Sequence, residues 1–225
     1  MGGKNRKGWR FVRAALFTLL SLVLAGGLFY SFHPVVLTAA GRYLAPEGDG
    51  KADVVILEGS EVIKERAVRV GVELISSGRA KRLAVVYQDS EERALGLRPD
   101  YDLFLIQKIN ELGLRKDQIS VYVVPREHPI TLNEAKIVLS KLAKDKTPNA
   151  IVLTENFHTR RTYWVYKQVG KALGIEIIPY PHFSRFRIDS WWQKAEGVRI
   201  FLGEWIKLLY YVLRGYIPIK SLMVT

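Results

Sequence analysis

The chain has 225 residues, no cysteine, and 34 Lys and Arg against 22 Asp and Glu, a formal net charge of +12. That length suits one compact domain with an appended segment, and a core of that size needs no covalent staples. Absent cysteine excludes a disulfide framework, a thiolate metal site and a cysteine nucleophile, while the charge leaves nucleic acid, a membrane surface or an anionic ligand to be separated by position.

Residues 14–32, AALFTLLSLVLAGGLFYSF, carry no charge over 19 positions, close to the length that crosses a bilayer as a helix. The basic tail before them, residues 1–13, holds Lys4, Arg6, Lys7, Arg10 and Arg13 and no acidic residue. The positive-inside bias then predicts a single-pass plasma (inner) membrane protein with a cytosolic N-terminus and an extracytoplasmic remainder. A cleavable signal peptide, with Ala25 and Gly27 as its small residues, predicts the same compartment. The apolar run continues through Leu28, Phe29, Tyr30 and Phe32, further than a signal peptide needs, which favours an uncleaved anchor.

Residues 33–51 contain Pro34, Gly41, Pro46, Gly48 and Gly50 and read as a stem with a short helix over 36–44. Strand-like runs follow at 53–57, 82–87, 119–124, 150–154 and 176–179, separated by helix-like stretches at 61–77, 99–112, 132–144 and 157–173. Short apolar strands without polar alternation predict a parallel sheet covered on both faces. Gly78, Gly113 and Gly174 each follow a helical stretch, where a left-handed C-cap belongs. The last helix, 190–214, shows an apolar stripe of Val198, Phe201, Leu202, Trp205, Leu208, Leu209 and Val212, interrupted by Arg199, Glu204 and Lys207. Packing on the sheet is its first expected role and contact with a membrane surface the second.

In open parallel sheets ligands sit beyond the carboxyl ends of the strands, so segments 58–60, 88–91, 126–131, 155–158 and 180–182 are the candidates. No G-x-G-x-x-G, Walker-type or G-x-S-x-G pattern occurs, which removes a dinucleotide fingerprint, a P-loop and a nucleophile elbow. The sharpest constellation runs from Thr154 to Arg161, TENFHTRR. With Asn156 as N-cap, His158 and Arg161 share a face near the first helical turn, where backbone N–H groups and the helix dipole attract phosphate or carboxylate. The plainer alternative gives His158 a buried polar contact and leaves Arg161 solvated or paired with Glu155. Thr131-Leu132-Asn133-Glu134 has the spacing of a capping box, so starting a helix is its first role. Glu58 and Arg66 could add an acid and a cation to the same crevice, or be a loop carboxylate and a surface charge. His128, His158 and His182 follow three successive strands and could converge on a divalent metal, although their spacing carries no metal signature.

The first strand and turn at 53–60 (DVVILEGS), Arg66 ahead of Gly71 and Gly78, Thr131 through Ala135, and the His-x-x-Arg of Thr154 through Arg161 belong together. With Trp191-Trp192 and with Glu204 ahead of Tyr210, they resemble the YdcF-like family, which includes the SanA and ElyC types (domain of unknown function 218), over roughly residues 52–214. That resemblance implies a Rossmann-like α/β domain, often behind one N-terminal span, in bacterial cell-envelope biology: barrier function, peptidoglycan assembly and use of polyprenyl-phosphate carriers. It also implies S-adenosylmethionine binding by a YdcF-type member, against which the predicted topology argues, since that cofactor is cytosolic. The chain departs from the family pattern at Glu58-Gly59, where a glycine pair is usual, and at Tyr87-Gln88-Asp89, where Ser-Gly-Gly is common. It departs again at Thr131-Leu132-Asn133-Glu134-Ala135, where the order Thr-x-Glu-Asn-Ala is usual. Glycines in such turns let backbone approach a ligand, so the ligands of other members do not carry over.

The combined expectation is a Rossmann-like three-layer α/β domain at 52–214 with a mainly parallel sheet, behind one transmembrane helix and ahead of a tail at 215–225. It binds or hydrolyses a phosphate-containing ligand, a small nucleotide-like molecule or a lipid carrier. As a phosphoester or pyrophosphate hydrolase it would use Arg161 and the helix N-terminus against developing charge, His158 for proton transfer, and Glu58 or Glu134 to position water or a cation. Arg66 would be a second clamp, and Gly59, Ser60, Thr131, Asn133, Thr154 and Asn156 would complete the ligand-binding set. The rival is a non-catalytic envelope assembly or scaffold protein. Of the +12, five charges lie in the tail, and the rest of the chain holds 29 basic against 22 acidic residues. The last 41 residues gather Arg185, Arg187, Lys194, Arg199, Lys207, Arg214 and Lys220 against Asp189, Glu196 and Glu204, which suits anionic lipid and makes nucleic acid the least expected partner.

Overall fold

Helix α1 spans Lys4–Leu44 in the computed structural model, which describes residues 4–60, 63–89 and 101–223. Within it Trp9–Leu28 is long and apolar enough to cross a membrane, with none of the stretch buried. The expected break into a stem after residue 32 does not occur, because the helix passes through Pro34. Proline cannot donate to the carbonyl four residues back, and here the His33 ring Nδ1 sits 2.6 Å from that Tyr30 carbonyl oxygen and donates in its place. Two compact units result, Met1–Ala40 and Gly41–Thr225.

The second unit begins with the last turn of α1. Leu44 is buried and Tyr43 stacks on Trp205 at 5.2 Å between ring centroids. Arg160 is 2% exposed and joins the two ends of the unit, donating from Nη1 to the Tyr43 carbonyl (3.0 Å) and from Nε to the Ser221 carbonyl (2.9 Å). Its guanidinium lies 3.7 Å from the Tyr43 ring centroid, and the Tyr43 hydroxyl donates to the Leu222 carbonyl at 2.7 Å.

Five strands follow: β1 (Val54–Ser60), β2 (Arg82–Asp89), β3 (Ile119–Pro125), β4 (Asn149–Glu155) and β5 (Glu176–His182). They pair in parallel in the order β3-β2-β1-β4-β5. Between them run α2 (Glu65–Ser76), α3 (Tyr101–Glu111), α4 (Ile130–Lys144) and α5 (Thr159–Leu173), with α6 (Ala195–Leu213) at the end. Right-handed crossovers send the chain outward from β1 to β3 and then back past β1, so helices cover both faces, as in Rossmann-like folds. Val54 to Leu57 and Ala150 to Leu153 in the two central strands are buried, which at about 1.5–3 kcal/mol per large side chain holds the sheet together. Gly78, Gly113 and Gly174 take φ of +72°, +107° and +73°, as the helix-stop reading expects.

The last helix departs from expectation. Its inward face is Gly197, Glu204, Leu208 and Tyr211, while Leu202 and Leu209 of the expected stripe point outward at 55% and 45% exposure. A carboxylate takes a place in the buried face because cations wait for it there.

Candidate functional site

The strand order reverses between β1 and β4, the place where open parallel sheets leave a crevice beyond their carboxyl ends. Pairing of β1 with β2 slips between Leu57 and Ser60, so Glu58 and Gly59 leave the regular ladder. A cavity of about 440 Å³ opens there, lined among others by Glu58, Ser60, Lys64, His158, Arg161 and Lys207.

Glu204, 1% exposed, organises one group at this cavity. Its Oε1 lies 2.8 Å from His158 Nδ1 and 2.8 Å from Lys207 Nζ, and its Oε2 accepts from Arg161 Nε at 3.1 Å. Burial alone would raise this carboxyl, but the Arg161 charge, the His158 hydrogen bond and Lys207 hold it far below the usual carboxylate range. An ionised carboxylate only accepts, so the proton on His158 Nδ1 points at Glu204, and in the neutral form of the ring the lone pair is then on Nε2. Arg161 Nη2, 3.2 Å from the same Nδ1, is then a close neighbour rather than a donor to it. Arg161 also donates from Nη1 to Thr131 Oγ1 at 2.7 Å, and its guanidinium lies 5.1 Å from the Tyr211 ring centroid. Burial would lower its pKa, but Glu204 and Glu58 outweigh that and raise it. Phe157, fully buried among Phe183, Phe186, Trp191 and Phe201, pins the turn that carries His158.

A second group surrounds Glu134, 2% exposed on α4. Its Oε1 accepts from the Gly59 N–H (3.1 Å) and the Tyr166 hydroxyl (2.7 Å), and its Oε2 from Gln88 Nε2 (3.3 Å). Gln88 Nε2 also donates to the Gly59 carbonyl at 3.1 Å, so both polar groups of that glycine are fixed. Nearby, Thr162 Oγ1 donates to Glu58 Oε1 at 2.7 Å. Burial and the Glu58 charge push the Glu134 carboxyl up to about 7 against the pull of its donors. The same burial, with Glu134 beside it, raises the Tyr166 hydroxyl well above its ordinary value.

A third group closes the crevice near β5. Glu155 pairs with Lys64 and accepts from the Ser184 hydroxyl, and these outweigh burial to hold it below the usual range. His182 is 6% exposed, and its Nδ1 has no hydrogen-bond partner among the described residues. Burial lowers its pKa. Three helices also open onto this cavity: Lys64, the N-cap of α2, Ile130 and Thr131 of α4, and His158, the N-cap of α5, all line it. None of the three has a side-chain cap hydrogen bond.

Of the sequence-derived candidates, Glu58, Gly59, Ser60, Thr131, His158 and Arg161 line the cavity together, joined by His128 and His182. Others do not. Arg66 is exposed and donates to the Ser184 carbonyl at 3.2 Å, outside the cavity lining. Asn133 donates to the Glu127 carbonyl at 3.3 Å and steadies the preceding loop. Thr154 donates to Thr159 Oγ1 at 2.7 Å in a fully buried contact. Asn156 is not a cap: it takes φ +57° in a short 3-10 turn ahead of α5, and its Oδ1 is buried without a partner among the described residues. Thr131 and Glu134 form no capping box either, since α4 starts at Ile130 after Pro129 and both side chains reach across to other elements. Glu134 acts on the Gly59 turn from behind and does not line the cavity. The three imidazoles share one cavity, yet no group of three metal-ligating side chains is close enough to hold an ion among the described residues. Segment 88–91 is described only as far as Asp89, so the rest of that candidate lies outside the described residues.

Sequence reasoning did not place Glu204, Lys207, Lys64, Thr162 or Tyr166 at the site, whereas Gln88 of the 88–91 segment does line the cavity. Glu204 had a signal: with Gly197, Phe201, Leu208 and Tyr211 it keeps a spacing of three and four along one helix face, and a charge in such a row needs a buried partner. Against protein-family models, curated proteins and solved structures, the chain gives no match.

Proposed function

We propose that this crevice binds a phosphate-bearing ligand and hydrolyses a phosphoester or pyrophosphate bond. The observation that carries the reading is the meeting of three helix N-termini without side-chain caps at one cavity that also holds Arg161, Lys64, Lys207 and the His158–Glu204 pair. Backbone N–H groups at helix starts favour an anion with several acceptor oxygens, and the fixed cations add to that preference. In the reaction, His158 Nε2 takes a proton from water as its oxygen attacks phosphorus, and the leaving oxygen departs from the opposite side. Glu204 keeps the imidazole in the required tautomer. Glu58 orients the water, and Arg161 with the helix N-termini offsets the charge that builds on the phosphoryl oxygens.

The wider setting belongs to the same proposal. The chain is a single-pass protein of the plasma (inner) membrane, with residues 1–13 in the cytosol and the α/β domain outside, working in bacterial envelope biogenesis or barrier maintenance on a small phosphorylated metabolite or a lipid carrier. The resemblance to the YdcF-like family supports the process, and the candidate span at Trp9–Leu28 supports the anchor.

The test uses the full chain in detergent with inorganic pyrophosphate and simple phosphomonoesters, read by phosphate release and by calorimetric binding. His158→Ala is expected to reduce turnover by about 10²–10⁴-fold in a chain that still folds. Undiminished turnover in that variant overturns the mechanism, and binding without turnover in the parent chain identifies a ligand-holding assembly protein instead. A reporter fused after Thr225 tests the topology, and a cytosolic signal would reopen the S-adenosylmethionine reading.

A further inference from the structure

We infer that the outward face of α6 seats on an anionic bilayer surface, so that the domain itself, and not only its N-terminal helix, engages lipid. Leu202, Ile206, Leu209 and Leu213 recur at spacings of four, three and four, which puts them in one stripe. They are 55%, 69%, 45% and 85% exposed, and Tyr210 beside them is 51% exposed. The helix does not lack an inward face, since Gly197, Glu204, Leu208 and Tyr211 are buried on its other side. The outward stripe is therefore additional, and in the turn that follows the helix Ile219 and Met223 are also exposed, at 66% and 78%. Contiguous exposed aliphatic surface of this kind marks an interaction face.

Charge selects the occupant. At about 100° of rotation per residue, Arg199 and Arg214 fall on one edge of the stripe, together with Glu196, which Arg185 pairs, while Lys207 turns to Glu204 at the cavity. Across residues 185–225 there are seven basic side chains against three acidic ones. An apolar stripe with a cationic border is the pattern that lies in a headgroup layer, with aliphatic side chains at the acyl boundary and cations at lipid phosphates. A second copy docking through the same face would bring these like charges together, which disfavours a symmetric dimer here. Proximity adds to the preference: the candidate span ends at Leu28 and the second unit begins at Gly41. Even a fully extended connection of that length reaches only about 45 Å, so a bilayer holding the span is present at high effective concentration.

The inference rests on the membrane-anchor part of the function proposed above and is independent of any hydrolysis. The chain has no cysteine, so single labels can be placed at will. Full-length Ile206→Cys and Leu213→Cys, and Leu173→Cys at the end of α5 as a control, would carry a polarity-sensitive fluorophore in nanodiscs of phosphatidylcholine with or without phosphatidylglycerol. Recovery of the protein in the discs reports on the anchor, separately from the label readings. The expected result is a blue shift and several-fold stronger quenching by brominated lipid at positions 206 and 213 than at 173, larger with phosphatidylglycerol and reduced by high salt. Water-like emission at both helix positions overturns the inference. So does shielding that rises with protein concentration and ignores the brominated lipid, which would assign the face to a second copy.

Discussion

Glu134 and Glu204 are equally buried, at 2% and 1% exposure, and both are fixed close to one cavity, yet their surroundings drive them in opposite directions. Around Glu204 stand a guanidinium, an ammonium and an imidazole, and the carboxylate stays ionised. Around Glu134 stand an amide N–H, a side-chain amide and a phenol, all neutral, with a second carboxylate nearby, and burial wins. Burial therefore sets the stake and the charge of the neighbours decides the outcome. One carboxylate serves as a fixed negative charge that orients an imidazole, while the other titrates near neutrality and holds a turn.

The largest expected effect breaks the charged group. Arg161→Ala leaves Glu204 buried with its main counter-charge gone, which should cost about 3–5 kcal/mol by chemical denaturation. A loss below about 1 kcal/mol would show that Lys207 and His158 suffice.

The next effect separates the two carboxylates by pH. Glu134 is raised from 4.5 to about 7, so the native state holds that proton more tightly than the unfolded chain does. The stabilisation is complete below about pH 4.5 and disappears as pH rises through 7, about 3 kcal/mol in all. Glu204 has the opposite sign: its depressed pKa stabilises the fold above the usual carboxylate range and is lost in acid. Melting curves between pH 3 and 8 should thus be flattened on the neutral side by Glu134→Gln and on the acid side by Glu204→Gln. Identical profiles for the two variants would remove the contrast.

Two smaller changes sharpen the neutral group. A Cβ at Gly59 would collide with the Glu134 carboxylate and come within 3.1 Å of Val86, so Gly59→Ala should cost about 1–3 kcal/mol by displacing the turn or the acid. Tyr166→Phe removes a single donor and should cost about 1 kcal/mol. It should also move the neutral-side transition to still higher pH, because that donor pulls the Glu134 pKa down.

Local signals in the sequence located most of the scaffold. Apolar runs without alternation marked β1 to β5, glycine stops marked three helix ends, and the crevice residues Glu58 and His158 were reachable from strand ends, with Arg161 following from helical spacing. What escaped was pairing over long separations. Thr131 reads as a cap when only its next three residues are considered, but its hydroxyl is worth more to Arg161, a buried cation 30 positions away. Glu134 reaches Gly59 across 75 positions and Glu204 reaches Arg161 across 43, distances at which no periodicity survives. Asn156 fails as a cap for a local reason: its left-handed backbone inserts a 3-10 turn before α5. In α1 the His33 ring reaches the Tyr30 carbonyl that Pro34 leaves without a backbone donor, a substitution of donors that helix propensity does not count.

Arg160 carries a practical consequence for how this domain can be cut. Its guanidinium grips backbone carbonyls of Tyr43 and Ser221, at opposite ends of the second unit. A soluble fragment begun at Ala52, where the sheet is about to start, would strip that cation of the Tyr43 carbonyl and ring, one residue from Arg161 and the cavity it lines. A fragment begun ahead of Gly41 and carried past Leu222 keeps the knot tied. With both ends meeting at one side chain, a short peptide linker from 223 back to 41, with new termini opened elsewhere, should give a circular permutant that folds.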